Sequence, residues 1–344
     1  MPLPIKKVAK FITAEKIVGL CYDYFPDLMS EFYEMQSSFL TNGYAAHRNL
    51  DISIIELCFL EKIHLSIIRQ REKYLDKSLS LETFFDNCGE IECGETNKHK
   101  IVNIVKKTGI PKETVRRKLK ILIDREIIIT NKFKDYCWNC NSNRNKQVSD
   151  AMERDVKATS RFICAITKFL DFKLLQTDIE KEIKNHFSFY FYHFSYCQLQ
   201  WFKMWQSKIK DIDLIFIAIQ ILIPTLKYYD NNSNLKKLGL EKIYTVIGKT
   251  APSYSLSNTT VSASSISEIT GIPRATCIRK LEKLMKLGML KKELKSKKYY
   301  VNQSTVGRGS LITKETINAT ISNFSYYLSI VINSLSKNIY NFKN

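Results

Sequence analysis

The sequence predicts a mostly α fold of the α+β class in which one architectural unit occurs twice. Each unit sets two short helices and a β-hairpin among longer helices. Three observations carry this. A segment recurs at a constant offset of 162, close to half of the 344-residue chain. Inside it, Thr-Gly-Ile-Pro separates two runs of helical periodicity. After it, each copy has a short β pattern with a charged middle.

Residues 104–128 read IVKKTGIPKETVRRKLKILIDREII, and residues 266–290 read ISEITGIPRATCIRKLEKLMKLGML, with ten of 25 positions identical. Fixed-period self-similarity of this kind marks a repeated structural unit. Thr108 to Pro111 recur as Thr270 to Pro273, and Thr114, Arg117, Lys118, Leu119 and Leu122 recur as Thr276, Arg279, Lys280, Leu281 and Leu284. Further out, Asp51-Ile52-Ser53-Ile54-Ile55 is echoed by Asp211-Ile212-Asp213-Leu214-Ile215, and Phe32 and Gln36 by Phe194 and Gln198. The whole chain therefore reads as an internal duplication with pseudo-two-fold character, divided into residues 1–175 and 176–344. Polar stretches at 139–150 and 250–265 read as loops within the units.

Taken in order, Ile101 to Lys107 form a short helix that Gly109 ends, since glycine accepts the left-handed conformation past a helix end. Ile110 plugs the turn, and Pro111 suits the first turn of the next helix. Val115, Leu119 and Leu122 then face inward, while Glu113, Arg116, Arg117 and Lys120 fall on the opposite face. The second copy buries Cys277, Leu281 and Leu284; it exposes Ala275, Ile278, Arg279 and Glu282, with Lys283 at the edge. Hairpins follow: Ile127 to Thr130 and Tyr136 to Trp138 around Asn131–Lys134, then Met289 to Leu294 and Tyr299 to Val301 around Lys295–Lys298. The helix pairs span 101–125 and 264–287, and the hairpins 127–140 and 289–302.

The motif Ile-Pro-(Lys/Arg)-x-Thr-x-x-Arg-Lys-Leu, followed by Leu and a Gly-Met-Leu-like ending, resembles that of winged helix-turn-helix regulators. The helical frame around each copy is similar to the MarR family of transcriptional regulators. Glu126 departs from the pattern where the second copy has Gly288. The resemblance implies a sequence-specific regulator that binds double-stranded DNA as a covalent pseudo-dimer, with recognition helices in successive major grooves. Arg116, Arg117 and Arg279 would read guanine edges and Ile278 a thymine methyl. Lys112, Thr114, Arg274 and Thr276 would hold phosphates. Lys132, Lys134, Lys295, Lys297 and Lys298 would approach the minor groove or the backbone. Glu113, Lys120, Ala275 and Lys283 complete two exposed faces that differ, which predicts an asymmetric operator. A plasmid-type replication initiator with two winged helices and a protein-interaction scaffold are the alternatives.

Composition agrees with a polyanionic partner. Lys and Arg outnumber Asp and Glu by 53 to 34, a formal charge of +19. Glu15 and Lys16 interrupt the apolar N-terminal stretch, so no signal peptide is expected. The most apolar run, Leu214 to Ile223, is shorter than the roughly 20 residues a membrane span needs, and is read as a buried helix. A cytoplasmic protein without a membrane partner is expected. Nine cysteines in that setting suggest free thiols. Cys88, Cys93, Cys137 and Cys140 flank the first hairpin, but their spacings match no recognised zinc set. Free thiols or a redox pair are expected there, with four-thiolate zinc the alternative. The aromatic segment 187–205 reads as the packed interface between units, with a small-molecule effector pocket as its alternative. Gly248-Lys249-Thr250 lacks the earlier glycine of a phosphate loop, since Ile243 stands there. No nucleophile triad or carboxylate pair is spaced for catalysis, so the chain is expected to bind and not to catalyse.

Overall fold

Caps and turn residues set the helix boundaries. The Thr13 hydroxyl accepts from Lys16 N at 3.3 Å and the Asn49 side chain from Ile52 N at 3.2 Å, each satisfying an amide that the first helical turn leaves unpaired. The structure, a computed structural model, describes residues 11–75, 77–91, 98–131, 133, 135–140, 145–231, 259–302 and 307–342. Residues 1–10, which include the start of the apolar N-terminal stretch, and Gly248-Lys249-Thr250 lie outside them. Among the described residues helix occupies 74%, in thirteen helices beside two small sheets, so the chain is mostly α.

The first half contributes α1 (Ala14–Asp23), α2 (Phe25–His47), α3 (Leu50–Lys73), α4 (Phe84–Gly89), α5 (Ile101–Thr108), α6 (Lys112–Asp124), β1 (Ile128–Thr130), β2 (Tyr136–Trp138) and α7 (Asn145–Thr167). The second contributes α8 (Gln176–Asn185), α9 (Phe187–Ile209), α10 (Ile212–Asn231), α11 (Ala263–Thr270), α12 (Arg274–Lys286), β3 (Leu290–Lys292), β4 (Tyr299–Val301) and α13 (Arg308–Phe342). Helices α1, α2, α3, α5 and α6 begin at 14, 25, 50, 101 and 112, and α8, α9, α10, α11 and α12 at 176, 187, 212, 263 and 274, a separation of 162 each time. This register sets Asp51 against Asp213, correcting by two residues the match with Asp211 read from the sequence. Helix also claims parts of both expected loops. α7 begins inside 139–150, and α11 begins inside 250–265, where the Ser262 hydroxyl caps it by accepting from Ser265 N at 3.0 Å.

The long helices cross between halves. α3 packs on α9 and α10 on α2; α1 packs on α13 and α7 on α8. The aromatic segment 187–205 is most of α9. Its Phe194 ring meets Phe39 of α2 at 5.6 Å, and Phe32 meets Phe324 of α13 at 4.8 Å. Phe187 contacts His64 and Phe84 at 5.2 and 5.7 Å. One hydrophobic core therefore runs through both halves. The apolar run expected at 214–223 belongs to a 20-residue helix that is by length and composition apolar enough to cross a membrane. Much of it is buried, with Gln220 bonded to Ser37 of α2 at 3.0 Å.

Candidate nucleic-acid interface

The conserved feature of the two turns is a threonine–glycine pair. Gly109 and Gly271 adopt φ of 73° and 68°, and each amide closes its helix by donating to Val105 O or Ser267 O at 2.9 Å. The preceding threonine works in two directions. Thr108 Oγ1 donates to Ile104 O at 2.8 Å and accepts from Ile110 N at 3.1 Å. Thr270 Oγ1 repeats this with Ile266 O at 2.7 Å and Ile272 N at 3.2 Å. Ile110 and Ile272 are buried. Pro111 and Pro273 precede α6 and α12 with extended ψ of 142° and 135°, one residue outside the helical turn expected from sequence.

The second helix of each pair places its side chains largely as the periodicity predicts. Val115, Leu119, Leu122, Cys277, Leu281 and Leu284 are buried. Lys112, Glu113, Arg116, Arg117 and Lys120 are exposed, with Thr114 half-buried. Arg274, Ala275, Arg279 and Lys283 are exposed, whereas Thr276 and Ile278 are half-buried. Burial of Ile278 leaves less of it to meet a ligand than its helical angle alone implies.

Each hairpin follows directly. Ile128, Ile129 and Thr130 pair antiparallel with Trp138, Cys137 and Tyr136; Leu290, Lys291 and Lys292 pair with Val301, Tyr300 and Tyr299. The second hairpin's first strand stops at Lys292, short of the expected Leu294, because Glu293 N turns to bond Lys298 O at 2.8 Å. A residue ahead of each helix pair bridges to its hairpin, His99 to Tyr136 and Val261 to Tyr299. Lys295, Lys297 and Lys298 are exposed at the second tip; Lys132 and Lys134 lie outside the described residues.

Glu126 and Gly288, the point of sequence departure, share one conformation, with φ of 56° and 77°. Asn139 Nδ2 donates to Glu126 O at 2.8 Å, and Asn302 Nδ2 to Gly288 O at 2.7 Å. This asparagine is a positioning residue that the repeat search misses. It recurs at an offset of 163, one more than the helices, because the second hairpin is one residue longer.

Electrostatics distinguish the repeated basic residues. Arg116 forks onto Glu113, with Nε to Oε2 at 3.0 Å and Nη2 to Oε1 at 2.7 Å. That hydrogen bond holds Glu113 below the usual carboxylate range and Arg116 above its own. Arg274 Nε donates to Ser264 Oγ at 3.1 Å. Lys280 is buried, with Nζ 2.8 Å from both Asp211 Oδ1 and Asp213 Oδ2. Burial pulls its ammonium down, but the hydrogen bonds from the two carboxylates outweigh this and hold it above its ordinary range. Lys118 is held down by burial and attracted by Asp51 and Asp213. Asp51 is pushed up by burial and lies in the field of both lysines. Helices α6 and α12 thus converge on one acid–base cluster. Each turn also rests on the opposite half: Arg48 Nη1 donates to Gly271 O at 3.2 Å, and a Cβ at Gly109 would lie 3.6 Å from Lys203.

Of the two expectations for the cysteines around the first hairpin, free thiols or a redox pair, the first is corrected. Cys88 at the end of α4 is joined to Cys140 after β2, and Cys137 is disulfide-bonded as well. Cys93 lies outside the described residues. Cys88 and Cys140 in this state offer no thiolate to zinc. Cys21, Cys58, Cys164, Cys197 and Cys277 are free thiols.

A cavity of about 360 Å³ opens between α2, α3 and α7; its lining residue Phe39 packs on Phe194 of the aromatic segment 187–205, though no residue of that segment lines it. Asn42, Gly43, Arg154 and Asp155 are among its lining residues. Asn42 Nδ2 donates to Asp155 Oδ1 at 2.7 Å, and burial pushes this carboxyl up to about 7. The second half has Met204 and Trp205 at the offset of 162 and, past its longer hairpin, Ile317 and Asn318 at 163, with Trp205 and Ile317 buried. No protein-family model matches the chain, and neither a curated protein nor a solved structure matches it.

Proposed function

We propose that this protein is a sequence-specific transcriptional regulator that binds double-stranded DNA as a covalent pseudo-dimer of two MarR-like winged helix-turn-helix units. One observation carries the reading. An exposed cationic helix face, ended by a glycine-type turn and followed by a hairpin, occurs twice at one offset on a shared core. A basic face next to a hairpin fits the geometry by which a helix enters the major groove while a wing reaches the flanking backbone.

Within this reading Arg117 and Arg279 are the residues best placed to read guanine edges. Arg116 must first leave Glu113, so its contact is gated by a neighbour with the wrong charge for DNA. Lys112, Thr114, Arg274 and Thr276 stand at helix starts, where phosphate contacts fix register. Lys118 and Lys280 hold the two helices to the Asp51–Asp213 cluster and take no part in base reading. Affinity falls steeply with salt as counterions are released. The protein acts in the cytoplasm as a binder and not as a catalyst.

The test is to sequence the DNA recovered with the full-length protein. Enrichment of promoter-proximal sites supports a regulator. Iterated repeats at an origin would instead make it a replication initiator, and no enrichment would make it a scaffold. Footprinting sharpens the same reading: two unlike half-sites are expected, and two identical half-sites contacted equally would remove the asymmetric operator.

A further inference from the structure

The cavity between α2, α3 and α7 has a lining that packing alone does not explain. Phe39, Leu57, Leu60 and Met152 give it apolar walls. Two carboxyls are set into them, Glu56 from α3 and Asp155 from α7, only 9% and 8% exposed. Taking an ionised carboxylate out of water is costly unless a countercharge or hydrogen bonds replace that water. Glu56 is held from behind the wall. Arg125 Nη1 can only donate, so His47 Nδ1 accepts from it at 3.5 Å, and His47 Nε2 donates to Glu56 Oε2 at 2.6 Å. Asp155 instead accepts from the neutral Asn42 amide at 2.7 Å. Arg154 acts on it through its field, with Nε donated to Asn42 Oδ1 at 2.8 Å.

The duplicated frame does not require an acid at this place. In the second half Asn318 stands where the first has Asp155, and its Oδ1 accepts from Tyr22 Oη at 3.1 Å. Trp205, buried, stands where the first half has Gly43. An amide at 155 could hold Asn42 as the carboxyl does, without the cost of burying a charge. Burial has pushed the Asp155 carboxyl up to about 7, and a perturbed acid in a cleft marks a candidate functional group.

We infer that this cavity binds one small organic ammonium ion per chain, with Asp155 as its countercharge and the apolar walls around its body. The inference goes beyond the DNA-binding reading and does not rest on it. The ammonium donates to the carboxylate that lacks a basic partner among the described residues. Phe39, Leu57, Leu60 and Met152 take the hydrocarbon part. A volume of about 360 Å³ lies at the low end of the roughly 300–1,000 Å³ that small-molecule sites span. An amine with a single ring or a short chain fits it. On a chain of net charge +19 the overall field repels cations, so a cation held here reports the local carboxyls.

The experiment uses the full chain without DNA. Phenethylammonium and hexylammonium are the probes; 2-phenylethanol and phenylacetate are the neutral and anionic controls, all titrated by calorimetry at pH 6 and pH 8. One ammonium is expected to bind per chain. It should bind about tenfold more tightly at pH 8, as Asp155 ionises. Glu56 and Arg154 are the other charged groups that line the cavity; α2 offers the neutral Asn42. Asp155→Asn should weaken the ammonium about tenfold to hundredfold at pH 8 and remove its pH dependence. The alcohol should bind this variant as it binds wild type. Ala151→Phe, which fills the cavity from α7, should abolish binding of both, with folding checked by thermal melting. Equal ammonium binding in Asp155→Asn and wild type overturns the proposal. So does tighter binding of phenylacetate than of the amines, or no binding of either amine at millimolar concentration. Each of these outcomes leaves the DNA-binding reading standing.

Discussion

The two halves of this chain share a backbone plan and differ in what fills it. In the first, Asn42, Gly43 and Asp155 border a cavity; in the second, Met204, Trp205 and Asn318 stand at those positions. The first half's hairpin is tied to α4 by a disulfide, while the residues matching its two cysteines in the second half's sequence, Thr250 and Gln303, cannot form one. The second half locks Lys280 between two aspartates by direct ion pairs, where the first has Lys118 in the fields of Asp51 and Asp213. A repeated frame therefore fixes turns and buried apolar positions, whereas polar detail is free to diverge.

Four sets of substitutions test that comparison. The largest effect is expected at Asp155. Its folded pKa of about 7 lies above the ordinary carboxylate value, so the folded state holds a proton that the unfolded chain has released. Stability is therefore fullest below the unfolded value of about 4 and declines as pH rises through 7, by no more than about 4 kcal/mol. Asp155→Asn should be more stable than wild type at pH 8 and lose most of that advantage by pH 5, as read by urea unfolding. Equal pH dependence in both proteins would mean that the cavity's carboxyl is not buried in solution.

Next is Gly309, where an added Cβ would lie 2.6 Å from the Gly288 carbonyl carbon and oxygen. Gly309→Ala should cost about 2–3 kcal/mol by overpacking. Lys146, the exposed residue at the matching position of the first half, should accept alanine with a change within about 0.5 kcal/mol. Equal costs would show that the close approach is not particular to the second half.

Lys280→Met strands two aspartates that are about a quarter exposed. The full cost of an orphaned buried charge is discounted accordingly to about 1–2 kcal/mol. Lys118→Met should cost less than half as much, and a reversed order in chemical denaturation would break the asymmetry. The smallest effect is at the hairpin entry. Glu126→Gly should stabilise by about 1 kcal/mol, because a left-handed residue with a Cβ is disfavoured by about that amount, and Gly288→Glu should lose a similar amount.

Much of the helix-pair geometry could be read from periodicity. Val115, Leu119 and Leu122 are buried because their spacing gives them one face, and the glycine turns lie where the chain must reverse. Periodicity tells which face is covered but not by what. Nothing in α2 announces that α10 covers it, or that Gly271 rests on Arg48. Lys280 carries an ordinary surface residue type, and only the arrival of Asp211 and Asp213, at the start of α10, buries it. Glu126 shows the converse, a conformation set by its surroundings against its own preference. A redox pair among the four cysteines is legible as an expectation, but the joining of Cys88 to Cys140 is not, since it depends on where α4 meets the hairpin and not on cysteine spacing.

The crossed packing of α2 with α10 and α3 with α9 makes the segment between Thr167 and Gln176 a stitch and not a hinge. Neither half has a finished interior until the other is in place. The gap between the two basic faces is consequently a length cut by core side chains such as Phe39 and Phe194. Whatever long molecule spans both faces meets a ruler, and its graduations are ring volumes deep in the protein.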